Sequence, residues 1–524
     1  MPRTSSPCSV SLLVAMLLQM TGSWAAYTLP ASIPSPKRMT NLLNQAESMA
    51  EVSKLAEAYS EEFNAIHLSA AWMRLSRLSR HSHSSRSSRS GRNYPSMAPQ
   101  RVLRQLEPLT QRSIRMARTE QLSARAIANI AYGSARSGFG DSPLYDALEK
   151  TAVRKLPDCT PQAVANLAWA YATAEHRAPL LFDSLAQVVA SAHLSEYTPQ
   201  NLANLAWAYA AAGHSSPELF ARLADESVTR LRDFTPQNLA NLVWSFATLG
   251  QRAPALYEAV AEEATRRVAA GAGFNAQDCA NLAWAFATAR HPAPQLFDAL
   301  ADAAEPRLPS FPPQAIANLA FAFATSSQPG SRRTDFLRAL ADAAAPRLDD
   351  FSAQNLANVA LPLAKESAIV DRPLLFDRIC GVACARMDEF SSQGLANVVW
   401  AVAKAHEAGG GGGAAGGGSV VGTEAAPSTS TLELFDRAAA ALEPRVGQLS
   451  PQVLSDTAWA YATVQGVAAG EHAMALFDAL AAVMASRVGE FTPAELAKTG
   501  WAFARASFAG TRYTIWNDGG EADA

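Results

Sequence analysis

Cysteine is scarce in this chain and widely spread. Five thiols among 524 residues (Cys8, Cys159, Cys279, Cys380, Cys384) are odd in number and form no CxxC pair, which excludes both a disulfide framework and a zinc finger. Cys380 and Cys384, one helical turn apart, read as small core residues. Catalytic signatures are also lacking: there is no GxxxxGK[ST], HExxH or GxSxG, and the nine histidines are scattered. Neither an enzyme nor a cofactor or metal is expected. Charged residues are only 17% of the chain, while 49% is hydrophobic, which excludes disorder as its general state. No apolar run reaches the roughly 20 residues that a membrane helix needs. The longest, residues 10–20 (VSLLVAMLLQM), spans 11 positions. With Arg3 before it and Ala25 and Ala26 after it, residues 1–26 read as a signal peptide, so the mature chain is expected to have no membrane span.

Charge is unevenly placed. Residues 1–118 hold 15 Lys+Arg against 6 Asp+Glu, a net +9, and the remainder carries −12. Between Trp72 and Arg118 stand eleven arginines and one acid, Glu107. The Ser/Arg-rich stretch suits an organelle transit segment or a disordered basic arm, so residues 27–100 are expected to be a leader without fixed structure. Residues 41–66, acidic and helix-prone, depart from that composition. The expected destination is a plastid stroma or mitochondrial matrix after the leader is cut, with the secretory pathway as the alternative.

From about residue 101 the chain repeats itself. TPQAVANLAWAYATAEH (160–176), TPQNLANLAWAYAAAGH (198–214) and TPQNLANLVWSFATLGQ (235–251) align without gaps. Their central asparagine recurs as Asn129, Asn166, Asn204, Asn241, Asn281, Asn318, Asn358 and Asn397, and Asp456 and Lys498 take the last two places. Ten copies at a period of about 38 mean a repeat array. Each copy contains two helical patterns. The second starts at a Ser, Thr or Asn cap (Ser123, Thr160, Thr198, Thr235, Asn275, Ser352, Ser391, Ser450, Thr492), with Pro312 the exception. Proline often follows at the first helical position. An apolar residue before each cap and another five positions later form a hydrophobic staple, as in Phe234 with Leu239. His176, His214 and His291 suit helix C-termini.

Helical geometry puts Leu202, Leu205, Ala206 and Tyr209 on one side and Gln200, Asn204 and Trp207 on the other. A helix with both sides occupied must meet neighbours on both, as stacked hairpins do. The expected fold is all-α, an α-solenoid of ten hairpins behind a disordered N-terminal leader. Repeats 1–8 span 101–407 and repeats 9–10 span 432–510. A flexible Gly/Ser-rich insertion fills 408–431, and a tail occupies 511–524.

Inside the repeat, glutamine and asparagine hold fixed places beside a variable one (Ala163, Asn201, Asn238, Asp278, Ala315, Asn355, Gly394, Val453, Glu495). That arrangement suits a reader of one base per repeat. Candidate RNA contacts are Gln162, Gln200, Asn201, Asn204, Gln237, Asn238, Asn241, Gln277, Asp278, Asn281, Gln314, Asn318, Gln354, Asn355, Asn358, Gln393 and Asn397. The exposed parts of Trp169, Trp207, Trp244, Trp284, Trp400, Trp459 and Trp501 could stack on bases. The same residues have a plain structural use, as an asparagine ladder between helices and a tryptophan row in the core. Arg230, Arg266, Arg267, Arg307, Arg332, Arg333, Arg347, Arg386, Arg445 and Arg487 would serve phosphates if they lined one face, or the dipoles of the first helices.

The motif PQxLANxxWAxA at this period resembles the octotricopeptide repeats of algal organelle proteins. It is also similar to the leucine-rich helical repeats of FAST-kinase-like and RAP-domain proteins, and to the repeat proteins of the RNA-editing substrate-binding complex. The resemblance covers about residues 101–510. It implies an organellar protein that binds single-stranded RNA along a solenoid groove, with other ribonucleoprotein subunits as further partners, and assists RNA processing, stability or translation. It also implies that Gln200, Asn201, Asn204 and their equivalents lie where RNA meets the repeats. The −12 of the body supports the alternative, a protein-interaction scaffold without direct RNA contact.

Overall fold

The computed structural model of the chain describes residues 33–83, 104–140, 142–326, 332–366, 373–409, 426–464 and 470–508. Among them there are helices and turns but no strand, and no helix is long and apolar enough to cross a membrane. The described residues fall into two compact units, one ending at Ser184 and one starting at Leu185.

Ten helical hairpins appear where the repeat places them. Their first and second helices are α4 (Glu107–Arg118) and α5 (Ala124–Arg136), α6 (Ser142–Lys155) and α7 (Pro161–Thr173), α8 (Pro179–Ser191) and α9 (Pro199–Ala211), and α10 (Pro217–Val228) and α11 (Pro236–Thr248). Then follow α12 (Pro254–Ala269) and α13 (Ala276–Thr288), α14 (Pro294–Ala304) and α15 (Pro313–Thr325), and α16 (Arg333–Ala344) and α17 (Ala353–Lys365). The last three pairs are α18 (Pro373–Ala385) and α19 (Ser392–Gly409), α20 (Thr429–Leu442) and α21 (Pro451–Thr463), and α22 (Glu471–Ser486) and α23 (Pro493–Phe508). Within each unit the second helices stack on one another, α5 on α7 and α9 through α23 in order, and the first helices form a parallel layer. This is α-solenoid construction.

The sequence explains each hairpin's start and stop. Nine side-chain caps accept a backbone N–H two or three residues on, for example Thr235 Oγ1 from Asn238 at 3.2 Å and Asn275 Oδ1 from Asp278 at 3.0 Å. At the tenth, the Pro312 carbonyl takes the Ala315 N–H at 2.9 Å instead. At the other end, His176, His214, Gln251 and His291 each return an N–H to the carbonyl five residues back. The residue before each adopts positive φ: Glu175, Gly213, Gly250 and Arg290. That is the Schellman closure, and it satisfies carbonyls a helix end leaves open.

The staples are buried, and each such side chain contributes about 1.5–3 kcal/mol. Phe234 and Leu239 are 1% and 0% exposed. Leu496, the same position in α23, is 41% exposed, because no hairpin follows it among the described residues. A neighbour is what completes each hairpin's core.

An eleventh hairpin precedes the ten. Residues 27–100 were expected to be an unstructured leader, but α1 (Pro36–Gln45), α2 (Met49–Tyr59) and α3 (Ala65–His83) are folded. Asn64 caps α3 by accepting the N–H groups of Ile66 and His67 at 3.0 Å. Phe63 and Leu68 form the staple, both 0% exposed. α3 packs on α5 as second helices pack elsewhere, with Trp72 buried and its indole N–H donating to Ser113 Oγ at 3.1 Å. This copy lacks Pro-Gln, Asn and the outer Trp. Ala65, Ile66, Ala70 and Met73 stand in their places, which hides it from motif alignment.

The expected signal segment and tail lie outside the described residues, as does most of the Gly/Ser insertion (410–425). α20 begins at Thr429, three positions ahead of the expected resumption.

Candidate nucleic-acid interface

The second helices carry one recurring outward stripe. Counting from the cap, it consists of positions 2, 6, 9 and 13, whose steps of four, three and four keep them on one helical face. Position 2 is glutamine, exposed at Gln162, Gln200, Gln237, Gln354 and Gln393 and half-buried at Gln277 and Gln314. Position 6 is asparagine, half-buried at Asn166, Asn204, Asn241, Asn281, Asn318, Asn358 and Asn397. Position 9 is mostly tryptophan, half-buried until Trp501, which is 44% exposed at the end of the array.

Contacts along the stripe run both within and between hairpins. Gln277 Nε2 donates to Asn281 Oδ1 at 2.7 Å, and Gln393 Nε2 to Asn397 Oδ1 at 3.0 Å. In these two copies the amides pair within one helix. In the last two copies a charge pair replaces them across hairpins, Lys498 Nζ to Asp456 Oδ1 at 2.6 Å. The aromatic row does pass between hairpins. Ring centroids of Trp244 and Trp284 are 6.3 Å apart, those of Trp400 and Trp459 5.9 Å, and those of Tyr132 and Trp169 4.9 Å. Each such indole is half-buried in this stack.

The variable place has a different position. Asn201, Asn238, Asp278 and Asn355 are buried, between 4% and 9% exposed, at the third helical residue. Asp278 Oδ2 takes the Asn275 N–H at 3.1 Å, completing a capping box, and Thr198 Oγ1 donates to Asn201 Oδ1. Burial pushes the Asp278 carboxyl above its ordinary range, against the pull of that N–H. These four residues serve the helix start and the hairpin seam, whereas Gln and Asn of positions 2 and 6 reach the surface.

The arginines form no phosphate-facing row. Arg230 donates to the Tyr197 carbonyl at 3.1 Å, Arg267 to Phe234 at 2.5 Å and Arg307 to Phe274 at 2.9 Å. Arg347 reaches Phe311 at 3.0 Å, Arg445 reaches Phe390 at 3.4 Å, Arg487 reaches Leu449 at 2.9 Å, and Arg386 reaches Phe351. Every acceptor is the residue before the preceding hairpin's cap. In the first unit, Arg112 does the same to Phe63 at 3.1 Å. Each guanidinium thus staples one hairpin to the one before it. Arg266 is held by Glu263 (2.7 Å), Arg332 by Asp302 (2.9 Å) and Glu305 (2.6 Å), and Arg333 by Glu366 (3.2 Å).

Sequence reasoning missed the cations that do lie on the stripe. Position 13 is Thr or Ala in repeats 2–6 but Lys365 and Lys404 in repeats 7 and 8, and Arg505 in repeat 10. Lys365 Nζ stands 5.8 Å from the Trp400 ring centre and Lys404 Nζ 5.7 Å from that of Trp459. The signal was a basic residue one turn beyond position 9, at a place that is Thr or Ala in repeats 2–6 and 9 and is also basic, as Arg136, in repeat 1.

Of the four described thiols, three are interior groups and Cys159 is half-buried. Cys279, Cys380 and Cys384 are buried, and burial pushes the Cys380 thiol up to about 12.

The family model of the RNA-editing substrate-binding complex 6 protein matches residues 104–289, the first five of the ten hairpins. It meets the resemblance read from PQxLANxxWAxA over that stretch. None of the curated proteins matches the chain. Among solved structures, yeast Rmd9p in complex with a 16-nucleotide target RNA is 12% identical, with 97% of this chain and 96% of that one covered and a TM-score of 0.34. A homology model of the full-length AP-3 complex in an intermediate open conformation is 12% identical, at 96% and 99% coverage and a TM-score of 0.25. A circular tandem repeat protein of novel repeat topology is 11% identical, at 91% and 97% coverage and a TM-score of 0.16. Likeness at these scores carries no functional argument.

Proposed function

We propose that this chain is a helical-repeat RNA-binding protein that holds single-stranded RNA along the stripe of its second helices. The observation that carries the reading is the side-by-side repetition of an exposed or half-exposed Gln, an Asn and a half-buried Trp on stacked helices within a unit. A glutamine–asparagine amide pair offers donors and acceptors to a base edge, and an indole edge offers a stacking surface. Fold-stabilising needs alone call for neither amide at the surface. The family match over 104–289 supports the same class of ligand.

In this reading the protein works in a mitochondrion or plastid, in RNA processing, stability or translation, alongside other ribonucleoprotein subunits. The removable leader is shorter than composition alone proposes. Met39, Leu43 and Trp72 are core residues of the first unit, so a cut that spares the fold falls ahead of Pro36.

The test is titration of the purified full chain with a labelled single-stranded RNA pool over a range of salt. Binding that weakens as salt rises is expected. Failure to bind at low salt would move the assignment to a protein scaffold, which the −12 of residues 119–524 favours. Localisation is checked with fluorescent fusions of residues 1–35 and 1–100. Both are expected in one organelle, and a diffuse cytosolic signal from both would remove the organellar part of the proposal.

A further inference from the structure

The aromatic row of position 9 is interrupted once in the ten repeats. In repeat 7 the tryptophan place holds Leu361, and Pro362 follows it inside α17, leaving the Asn358 carbonyl without its helical N–H. Beside this break opens a cavity of about 360 Å³, lined among others by Leu361, Lys365, Gln393, Asn397, Trp400 and Gln452. That volume falls in the range of small-molecule clefts, about 300–1,000 Å³. The Asp456–Lys498 pair lines it as well.

Three kinds of group converge there. The first is an indole with an exchangeable cover, the Lys365 ammonium over Trp400. Lys365 is exposed and forms no ion pair among the described residues. The second is the Gln393–Asn397 amide pair, whose internal bond uses Nε2 of one and Oδ1 of the other. The Gln393 carbonyl oxygen and the Asn397 NH2 remain available to a ligand. The third is cationic charge. The chain has seven lysines, and Lys365, Lys404 and Lys498 lie on this face of repeats 7–10. Lys404 lies over Trp459 and pairs with Glu407 at 2.6 Å in an exposed contact, which competes weakly with a phosphate.

We infer that this recess seats one nucleotide of the bound RNA more firmly than the rest of the stripe does, with the base against Trp400, its edge on Gln393 and Asn397, and the flanking phosphates on Lys365 and Lys404. The inference rests on the RNA-binding reading and adds a register to it. Leu361 makes the room that a tryptophan would fill. Base stacking displaces the Lys365 ammonium from the indole, and the released cation is then within reach of the backbone of the same nucleotide.

The experiment compares the full-length protein with Lys365→Gln/Lys404→Gln and with Trp400→Leu, a side chain that repeat 7 already accommodates at this position. Trp244→Leu in repeat 4 is the matched control. The probe is a labelled single-stranded RNA pool of about ten nucleotides, one for each of the ten motif-bearing hairpins. The lysine pair is expected to lower the salt slope of log Kd by about 1.4, since each single-strand phosphate contact contributes about 0.7. Trp400→Leu is expected to weaken binding at least several-fold more than Trp244→Leu. Wild-type binding with both recess variants equal to the control overturns the recess and leaves the RNA reading standing. Absence of wild-type binding overturns both. Should Trp400→Leu lose helical content, the lysine pair, exposed at Lys365 and half-buried at Lys404, still decides. A polyglutamate peptide that competes with RNA through the wild-type lysines but not through the glutamine pair would assign the recess to an acidic protein segment and refute the nucleotide.

Discussion

Arg266 and Arg267 are a natural control for each other. Both bond to Glu263, which is buried, at 2.7 and 2.5 Å. Arg267 also donates to the carbonyls of Leu231 (3.0 Å), Arg232 (2.8 Å) and Phe234 (2.5 Å), in the preceding hairpin. Its side chain is 12% exposed, against 60% for Arg266. Arg267→Met keeps most of the aliphatic volume and removes all three staple bonds. A net 0.5–1.5 kcal/mol for each, somewhat more for a charged donor, gives a loss of about 2–4 kcal/mol. Arg266→Met removes the same formal charge but leaves Glu263 with Arg267, so it is expected to cost little. Urea unfolding of the full chain reads the difference, and hydrogen exchange over residues 231–242 locates it, because in a stacked array the damage falls on the nearest interface. The RNA salt slope of Arg267→Met should match wild type. Equal losses for the two variants would refute the staple, and a fall in slope for Arg267→Met would return that arginine to the phosphate-contacting surface.

Four further outcomes are expected. Gly133→Ala puts a Cβ 2.6 Å from the Trp72 carbonyl carbon and 2.7 Å from its oxygen, backbone atoms that cannot yield locally, so α3 must move off α5 at a cost of about 1–3 kcal/mol. An unchanged melting temperature and an unchanged Trp72 environment in near-ultraviolet circular dichroism would count against the eleventh hairpin. Leu239→Ala should cost about 2–5 kcal/mol and Leu496→Ala clearly less, and equal losses in denaturant unfolding would deny that neighbours share the core. The Glu263 carboxyl is held below its usual range, chiefly by the Arg266 hydrogen bond and also by Arg267, against the effect of burial. Its stabilisation is therefore complete above the unfolded carboxylate pKa of about 4.3 and is lost as pH falls through the lower folded value, so the stability gap between wild type and Glu263→Gln should close in acid and not in base. Finally, Gln200→Ala should weaken RNA binding without shifting the melting temperature. Asn201→Ala should lower stability by about 1 kcal/mol and leave the salt slope alone, and a reversed pattern would restore the variable place as the reader.

Much of this was legible from spacing. Cap, staple and Schellman closure are local signals, set by side chains within six positions of one another, and Thr235, Phe234 and Leu239 announce α11 before any tertiary contact is considered. The outward set of Gln200, Asn204 and Trp207 followed from the helical period alone. Two things were hidden for physical reasons. The first hairpin keeps only Phe63, Asn64 and Leu68 of the local code, so its membership shows in packing and not in motif. The arginines bond across hairpins to backbone carbonyls, and a carbonyl acceptor leaves no trace in sequence. A row such as Arg230, Arg267 and Arg307 therefore reads as free charge until its partners are seen. The lysines of repeats 7 and 8 were visible as departures at position 13, but only the placement of Trp400 and Trp459 beneath them gives those departures meaning.

The net −12 of the body bears less on RNA than it first suggests. Stapling arginines such as Arg230, Arg267 and Arg307 are held by carboxylates and carbonyls of the chain itself, and exposed acids such as Asp225 and Asp302 stand on the first helices. A helix is about 10 Å across and charges are screened over about 8 Å at physiological salt. Acids on the outer side of that layer thus act only weakly on a ligand lying along the second helices. The same screening limits the attraction available to RNA. With Lys365, Lys404 and Arg505 as the cations of position 13 in repeats 7–10, about two to four phosphates are neutralised, and the expected salt slope is only about −1.4 to −2.8. Most of the affinity must then come from stacking and amide contacts, so it should survive moderate salt and collapse when Trp400 is replaced. A measured slope steeper than about −5 would require the stapling arginines to leave their carbonyls for phosphates, and hydrogen exchange at the hairpin seams would then rise on RNA binding instead of falling.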